Sequence, residues 1–193
     1  MQAWLDETCP RQHVSDVRNR KAPTLPLLAT LLALAPQAAP AAPQTLPLDP
    51  SRAEVQFRAY AFGLLPIDGV FSRFSGTLTV DPQVPAACHV EISVAVASLT
   101  MSNEAIRRDV LSAAMLDAAR FPTLDYNGAC QEHVITGTLT LHGATHPLQL
   151  AISNVQGRYS AEAALRRADW GILGRPLIAG QTVRIRVSTT ISR

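Results

Sequence analysis

The strongest constraint on the fold of this chain is an alternation of apolar and polar residues with a period of two. From Glu54 onward, the apolar side chains of Val55 and Phe57 alternate with polar neighbours. The same alternation returns in segments 74–80, 90–96, 135–141, 148–152, 159–165 and 183–187. Successive side chains of a β-strand point to opposite faces, so each segment is predicted to be a strand with one buried face. Many short strands of this kind predict an all-β barrel or sandwich.

Turn sequences between these segments predict that neighbouring strands are joined locally. Asp81-Pro82 is expected to end one strand and Asn127-Gly128 another, and the segment 142–147 is expected to join two strands as a hairpin. Local connections favour an up-and-down meander of antiparallel strands. The predicted fold is therefore an antiparallel up-and-down barrel of about eight strands, a size that encloses either packed side chains or one small ligand.

One segment interrupts the strand pattern. Between Ser102 and Ala118, apolar residues recur at helical spacing, including Ile106 and Val110. Pro122 ends whatever helix precedes it. We therefore predict one short helix, inserted between two strands and lying against one end of the barrel.

The N-terminal region has the composition of an export signal. Basic residues between Arg18 and Lys21 precede an apolar run over residues 25–35, and small residues follow. The run is too short to span a membrane, and the alanines around Pro40 satisfy the small-x-small pattern of a cleavage site. We predict cleavage after Ala41 and a periplasmic or secreted location for the mature chain.

These features divide the chain into three parts. The predicted parts are a signal peptide with an extended N-region (1–41), a short linker (42–52) and one β-barrel domain (53–193). A composition of 47% hydrophobic and 17% charged residues is typical of a globular protein. A continuous run of about 20 apolar residues, which a membrane-spanning helix needs, is absent. We therefore expect a soluble mature chain without an integral membrane segment.

The charges argue against nucleic acid as a partner. The formal net charge is +2, and the single lysine, Lys21, lies in the predicted signal peptide. The remaining cations are arginines spread along the predicted strands rather than clustered. No nucleic acid partner is expected, and the oligomeric state is left open, with a homodimer as one option.

Cys88 and Cys130 are candidates for a disulfide. Export would carry both cysteines to an oxidising compartment, where an even number of cysteines permits one bridge. Cys88 is expected to open one strand and Cys130 to close the next, which places them side by side in an antiparallel pair. The alternative is that both cysteines are simply buried.

Several inward positions of the predicted strands carry small residues, which bears on whether the interior is filled. These positions are Ala59, Ala61, Gly76, Gly137, Ala161 and Ala163. Small side chains on the inner face leave room for a ligand, so we predict a cavity. The alternative is that they mark bends and tight corners.

Several motifs, taken together in their order and spacing, identify a family. The stretch 69–78 has the pattern G-x-F-x-x-F-x-G-x-L. Further motifs are Val96-Ala97-Ser98-Leu99, Asn103-Glu104, Asp117, Phe121-Pro122-Thr123, and the stretches 137–143 and 167–171. From Leu48 to the C-terminus the chain thereby resembles the YceI-like family. This resemblance implies a lipocalin-like barrel that binds polyisoprenoid lipids.

By this resemblance, the chain is expected to hold a long-chain isoprenoid lipid, either a polyisoprenoid or an isoprenoid quinone, for transport, storage or sequestration. Binding an apolar chain needs a dry pocket and no catalytic residue or cofactor, so no enzymatic activity is expected. The candidate lining residues are Phe57, Phe62, Phe71, Phe74, Leu78, Val94, Met101, Met115, Leu116, Tyr126, Leu139 and Trp170. Arg58, Arg73 and Arg107 are candidates for holding a polar head group, because guanidinium groups bind anionic oxygens.

The helical segment departs from the family. Asp109 and Ala114 stand where family members commonly have a histidine and a second acidic residue, and Met115 and Leu116 replace two phenylalanines. The loop 64–67 is also altered. We expect this helix and loop to border the mouth of the cavity, so the changes affect the choice of lipid more than the fold.

Catalysis was weighed against lipid binding. A nucleophile and a base could be assembled from Cys88 with His89, or from Cys130 with His133. Adjacent strand residues face opposite sides of the sheet, however, and no G-x-S-x-G motif occurs.

Two further functions were considered. His142 and His146 flank a short turn, but two imidazoles are too few for a stable metal site, so no metal is predicted. The serious alternative to lipid binding is a structural or protein-interaction barrel with a filled interior.

Overall fold

The computed structural model describes residues 42–81 and 83–190. The predicted signal peptide (1–41) and Pro82 lie outside the described residues. Within the described ranges, the structure contains no helix with the length and hydropathy needed to cross a bilayer.

Eleven strands form one antiparallel sheet in the described part of the chain. They are β1 (Gln44–Leu48), β2 (Ala53–Ala61), β3 (Leu65–Phe71), β4 (Phe74–Asp81), β5 (Val84–Ala95), β6 (Leu99–Thr100), β7 (Thr123–Gln131), β8 (Val134–Leu141), β9 (Ala144–Val155), β10 (Arg158–Arg166) and β11 (Thr182–Thr190). Their order across the sheet is β1-β4-β5-β7-β8-β9-β10-β11-β2-β3-β6. The sheet curls around one interior, so the predicted all-β antiparallel, lipocalin-like fold is confirmed.

The sheet has eleven strands instead of the predicted number of about eight, because three strands lack a clear alternation. β1 lies within the segment expected to be a linker (42–52) and contains Pro47. β3 contains Pro66 and Gly69, and β6 has only 2 residues. These strands lie at or next to the two ends of the sheet, where pairing with a longer neighbour forms them.

The predicted turn at Asn127-Gly128 is wrong, because both residues lie inside β7 and pair with β8. Gly128 lies directly opposite Gly137. A Cβ atom on either glycine would come within 2.8 Å of the hydroxyl oxygen of Tyr126. Gly128 is therefore needed for close packing inside the sheet and not for a turn.

The predicted helix is present but shorter than the segment 102–118. It is α1 (Glu104–Leu111). The side chain of Asn103 caps its N-terminus, because Oδ1 accepts hydrogen bonds from the backbone N–H groups of Ala105 (2.9 Å) and Ile106 (3.1 Å). The helix ends at Ser112, whose backbone is extended.

The curled sheet has two different ends. The helical end carries the turn between β8 and β9 at His142 and Gly143, the loop 171–181, and α1. The hairpin end carries the turns 132–133 and 156–157 and the last residues of β11. The hairpin predicted over 142–147 is thus confirmed, with a tighter turn because β9 already begins at Ala144.

Arg167 fastens the loop 171–181 over the helical end. Its side chain is only 3% exposed. The guanidinium donates hydrogen bonds to the backbone carbonyl oxygens of Ile172 (2.7 Å) and Gly180 (3.1 Å). A third hydrogen bond reaches the carbonyl oxygen of Ala179 (3.1 Å). Burial lowers the pKa of Arg167, and the planar fork of donors connects one side chain to both halves of the loop.

Arg167→Met is expected to lower the free energy of unfolding by about 3 kcal/mol, because buried carbonyl oxygens lose their donors. Urea denaturation followed by circular dichroism measures this change. Arg166→Met is the matched control, since the neighbouring arginine is exposed and its loss should cost less than about 0.5 kcal/mol. Equal effects of the two substitutions would contradict the assigned role.

Candidate functional site

The inner face of the sheet encloses a cavity of 340 Å³. This volume is within the range of about 300 to 1,000 Å³ that is typical of small-molecule sites. Most of its wall is aliphatic. The aliphatic lining residues are Leu48, Val55, Leu78, Val80, Val90, Ile92, Val94, Leu124, Ile135, Leu139, Leu148, Leu150, Ile152, Ala161, Ile185 and Val187. An interior of this kind suits an apolar ligand.

The cavity reaches solvent at the hairpin end. Glu132, in the turn between β7 and β8, is exposed and also lines the cavity. Tyr159 near the start of β10 and Thr189 near the end of β11 line it at the same level. We call these three residues the rim. The expectation that α1 and the loop 64–67 border the mouth is not met, because none of their residues lines the cavity.

The opposite, helical end is filled by packed side chains. Trp170, Leu141 and Leu165 are buried there, with exposures of 3%, 7% and 5%. The indole Nε1–H of Trp170 donates to the carbonyl oxygen of Leu139, 3.2 Å away, which fixes the ring beside the inner limit of the cavity. Met115, from the segment after α1, is buried in the same core. The cavity is therefore a pocket with a closed inner end.

Tyr126 is the polar side chain deepest in the cavity wall. Its hydroxyl lies 3.2 Å from the carbonyl oxygen of Ile135 and 3.1 Å from that of Leu148, and it donates to these acceptors. Burial raises the pKa of Tyr126 to about 12, so the phenol is neutral at physiological pH. Since the hydroxyl is satisfied by backbone carbonyls, the ring adds an apolar surface to the wall.

The small inward residues do not all leave space for a ligand. Ala161 lines the cavity. At Gly137, a Cβ atom would collide with the carbonyl oxygen of Asn127 and lie 2.6 Å from Cα of Gly128. At Gly76, a Cβ atom would lie 2.9 Å from Cα of Ile92. The predicted cavity is present, but these two glycines allow close approach of backbones, as in the alternative interpretation.

Four of the predicted lining residues line the cavity: Leu78, Val94, Tyr126 and Leu139. Others are core residues away from it. Phe71, Phe74, Met115 and Trp170 are buried, and Phe57, Met101 and Leu116 are half-buried against the same core.

Phe62 lies elsewhere. It occupies the turn between β2 and β3 with a φ of 52°, and its side chain is 65% exposed. The left-handed backbone of this turn directs the ring away from the interior.

The three arginines proposed for a head group do not line the cavity. Arg58 forms a bidentate ion pair with Asp68 on the outer face, with N–O distances of 2.6 and 3.0 Å. This hydrogen-bonded pair lowers the pKa of Asp68. Arg73 is exposed in the corner between β3 and β4. Arg107 donates to the carbonyl oxygen of Leu99 at 2.6 Å and thereby ties α1 to β6.

The two histidines weighed as metal ligands pack against aromatic rings. The ring centroids of His146 and Trp170 are 5.2 Å apart in an edge-to-face arrangement. The ring of His142 lies 4.5 Å from that of Phe121, and its Nδ1 is 3.2 Å from the carbonyl oxygen of Trp170. Both therefore contribute to the packing of the helical end.

Cys88 and Cys130 face each other across β5 and β7 in the wall of the cavity. Their Cα atoms are 4.8 Å apart, and the structure pairs the two sulfur atoms as a disulfide that spans 42 residues of sequence. Cys88 lies inside β5 and does not open it, because β5 starts at Val84. The antiparallel pairing on which the disulfide prediction depended is present.

A second concavity, of 440 Å³, lies on the outer face of β4, β5, β7 and β8. Its lining is polar and includes Thr77, Glu91, Asp125 and Thr138. The amide of Asn127 donates to Glu91 there at 2.9 Å. This surface is a solvated face of the sheet and is unsuited to an apolar ligand.

Comparisons with known proteins agree on a single family. A family model described as the YceI-like domain matches residues 47–191. A UPF0312 protein of Pseudomonas putida is 28% identical over 177 residues, which covers 83% of this chain and 91% of the relative.

Two solved structures show the same fold at low sequence identity. Burkholderia cenocepacia BcnA is 17% identical with a TM-score of 0.63, covering 75% of this chain and 99% of BcnA. A polyisoprenoid binding domain from Saccharophagus degradans, implicated in plant cell wall breakdown, is 12% identical with a TM-score of 0.56. That likeness covers 76% of this chain and 98% of the domain.

Proposed function

The chain belongs to the YceI-like family, and from this premise and its interior we propose that it binds a polyisoprenoid-type lipid in the cavity without catalysing a reaction. The observation that carries the proposal is the 340 Å³ cavity with its aliphatic wall. Each Å² of apolar ligand surface that enters such a wall contributes about 25 cal/mol, so a lipid tail alone supplies affinity. The name of the Saccharophagus degradans domain supports this ligand class for the shared fold.

The first test is native mass spectrometry of the purified protein, followed by organic extraction and identification of the bound molecule. A stoichiometric isoprenoid or quinone is the expected result. A protein that stays ligand-free after incubation with isoprenoid lipids would overturn the proposal.

Ala161→Phe is expected to reduce the lipid recovered per protein molecule by about tenfold, because the phenyl ring would occupy the cavity. Extraction and quantification of lipid from the purified variant measures the change. Ala164→Phe is the matched control: it lies on the same strand but is exposed on the outer face. Normal lipid recovery from a folded Ala161→Phe variant would count against ligand binding beside this residue.

The competing hypothesis is an interaction scaffold whose barrel is filled by its own side chains. The two hypotheses differ in the interior, which the scaffold does not need to keep open. The cavity of 340 Å³ favours the lipid-binding function.

We also propose that the mature chain is exported to the periplasm or beyond the cell, where it carries, stores or sequesters its lipid. An oxidising compartment would permit the Cys88–Cys130 bridge. Fractionation of cells and N-terminal sequencing of the mature protein test the location and the cleavage after Ala41, and size-exclusion chromatography tests for a homodimer.

A further inference from the structure

The closed inner end fixes how an amphiphilic ligand can enter the cavity. Trp170, Leu141 and Leu165 fill the helical end, whereas exposed Glu132 lies at the hairpin end. A lipid tail gains free energy inside the aliphatic wall, and a polar head loses hydration there. The tail must therefore enter first, and the head group must stay at the rim.

The rim presents a carboxylate and hydroxyl groups. Among the described residues that line the cavity, Glu132 is the only one that carries a charge at neutral pH. Tyr159 and Thr189 add hydroxyl groups, and the hydroxyl of Thr189 already donates to the carbonyl oxygen of Arg52 at 2.8 Å.

The cations near the rim do not line the cavity. Arg158 begins β10 at the hairpin end, but it precedes inward-facing Tyr159 and is exposed on the other face of the strand. Arg58, Arg73 and Arg107 lie elsewhere, and Arg58 is already paired with Asp68. A phosphate at the rim would therefore face a carboxylate without a cation in the cavity wall.

We infer that the cavity selects lipids with an uncharged, hydroxyl-bearing head over lipids that end in a phosphate or diphosphate. A hydroxyl donates a hydrogen bond to the Glu132 carboxylate, whereas an anionic head is repelled by it. This inference rests on the proposed function and specifies the chemical class of its ligand.

Farnesol and farnesyl diphosphate are suitable probes, because they share one chain and differ only in the head. Isothermal titration calorimetry on the wild-type protein is expected to give at least about tenfold tighter binding of farnesol. The difference should narrow as salt is added, because repulsion at an exposed rim is screened.

Glu132→Gln is expected to remove most of that difference by strengthening the binding of the diphosphate. Glu54→Gln is the matched control: it removes the same charge from the outer face of β2, where the residue is exposed and outside the cavity lining. The control should keep the wild-type preference.

The outcomes separate this inference from the function on which it rests. Equal binding of the two probes to the wild-type protein, or tighter binding of the diphosphate, overturns the head-group inference and leaves lipid binding intact. Binding of neither probe, together with a protein that purifies without lipid, overturns the proposed function itself. The wild-type comparison needs no variant, so the inference stays testable if Glu132→Gln fails to fold.

Discussion

Replacing Cys88 and Cys130 together with alanine is expected to lower the free energy of unfolding by about 4 kcal/mol, since a bridge that closes a loop of 42 residues restricts the unfolded chain. The bridge joins β5 and β7, which are adjacent in the sheet, so its loss also leaves the cavity wall without a covalent link at the hairpin end. Urea denaturation of the oxidised wild-type protein and the double variant measures the difference.

Reducing agent provides the control for this prediction. It should lower the melting temperature of the wild-type protein and leave that of the double variant unchanged. Alkylation of the denatured, unreduced protein, followed by peptide mapping, should find neither cysteine modified. Modification of both would show that the bridge does not form.

Gly137→Leu is expected to destabilise the fold by more than about 4 kcal/mol, an effect reserved for substitutions that break a defined structural constraint. A side chain at this position would collide with the backbone of Asn127 and come within 2.8 Å of the Tyr126 hydroxyl. Relief of the collision would require β7 and β8 to separate where they pair. Expression level and urea denaturation measure the loss.

Thr136→Leu is the matched control for Gly137→Leu, because Thr136 is the preceding residue of β8 and is exposed on the outer face. Its replacement should cost less than about 0.5 kcal/mol. A folded Gly137→Leu variant that merely loses lipid would instead indicate that Gly137 leaves space for the ligand.

The fold could be predicted where burial acts on every second residue. The segments 135–141 and 183–187 alternate because one face of β8 and of β11 is buried, and both were predicted as strands. β3 and β6 escaped prediction because Pro66 and the brevity of β6 leave too little alternation to detect. Asn127-Gly128 was mistaken for a turn, because a glycine needed for close packing has the same letter as a glycine needed for a turn.

The site was harder to predict, because alternation assigns a side chain to a face of the sheet but not to a height along the barrel. Phe71 and Trp170 were correctly placed in the interior, yet they belong to its packed core. Val90 and Ile185 line the cavity and lie in segments already predicted as strands, but aromatic residues were preferred as ligand contacts. Only the register between strands separates the two groups.

The ends of the described sheet have a consequence for self-association. Strands at a sheet edge expose unpaired backbone groups, through which separate molecules can join and aggregate. Here the two edges are β1, which has 5 residues including Pro47, and β6, which has 2. A proline offers no N–H to an incoming strand, and a pair of residues offers too short a template. The long apolar strands lie between these edges, so the protein can keep a lipid-sized apolar interior at high concentration while resisting edge-to-edge aggregation.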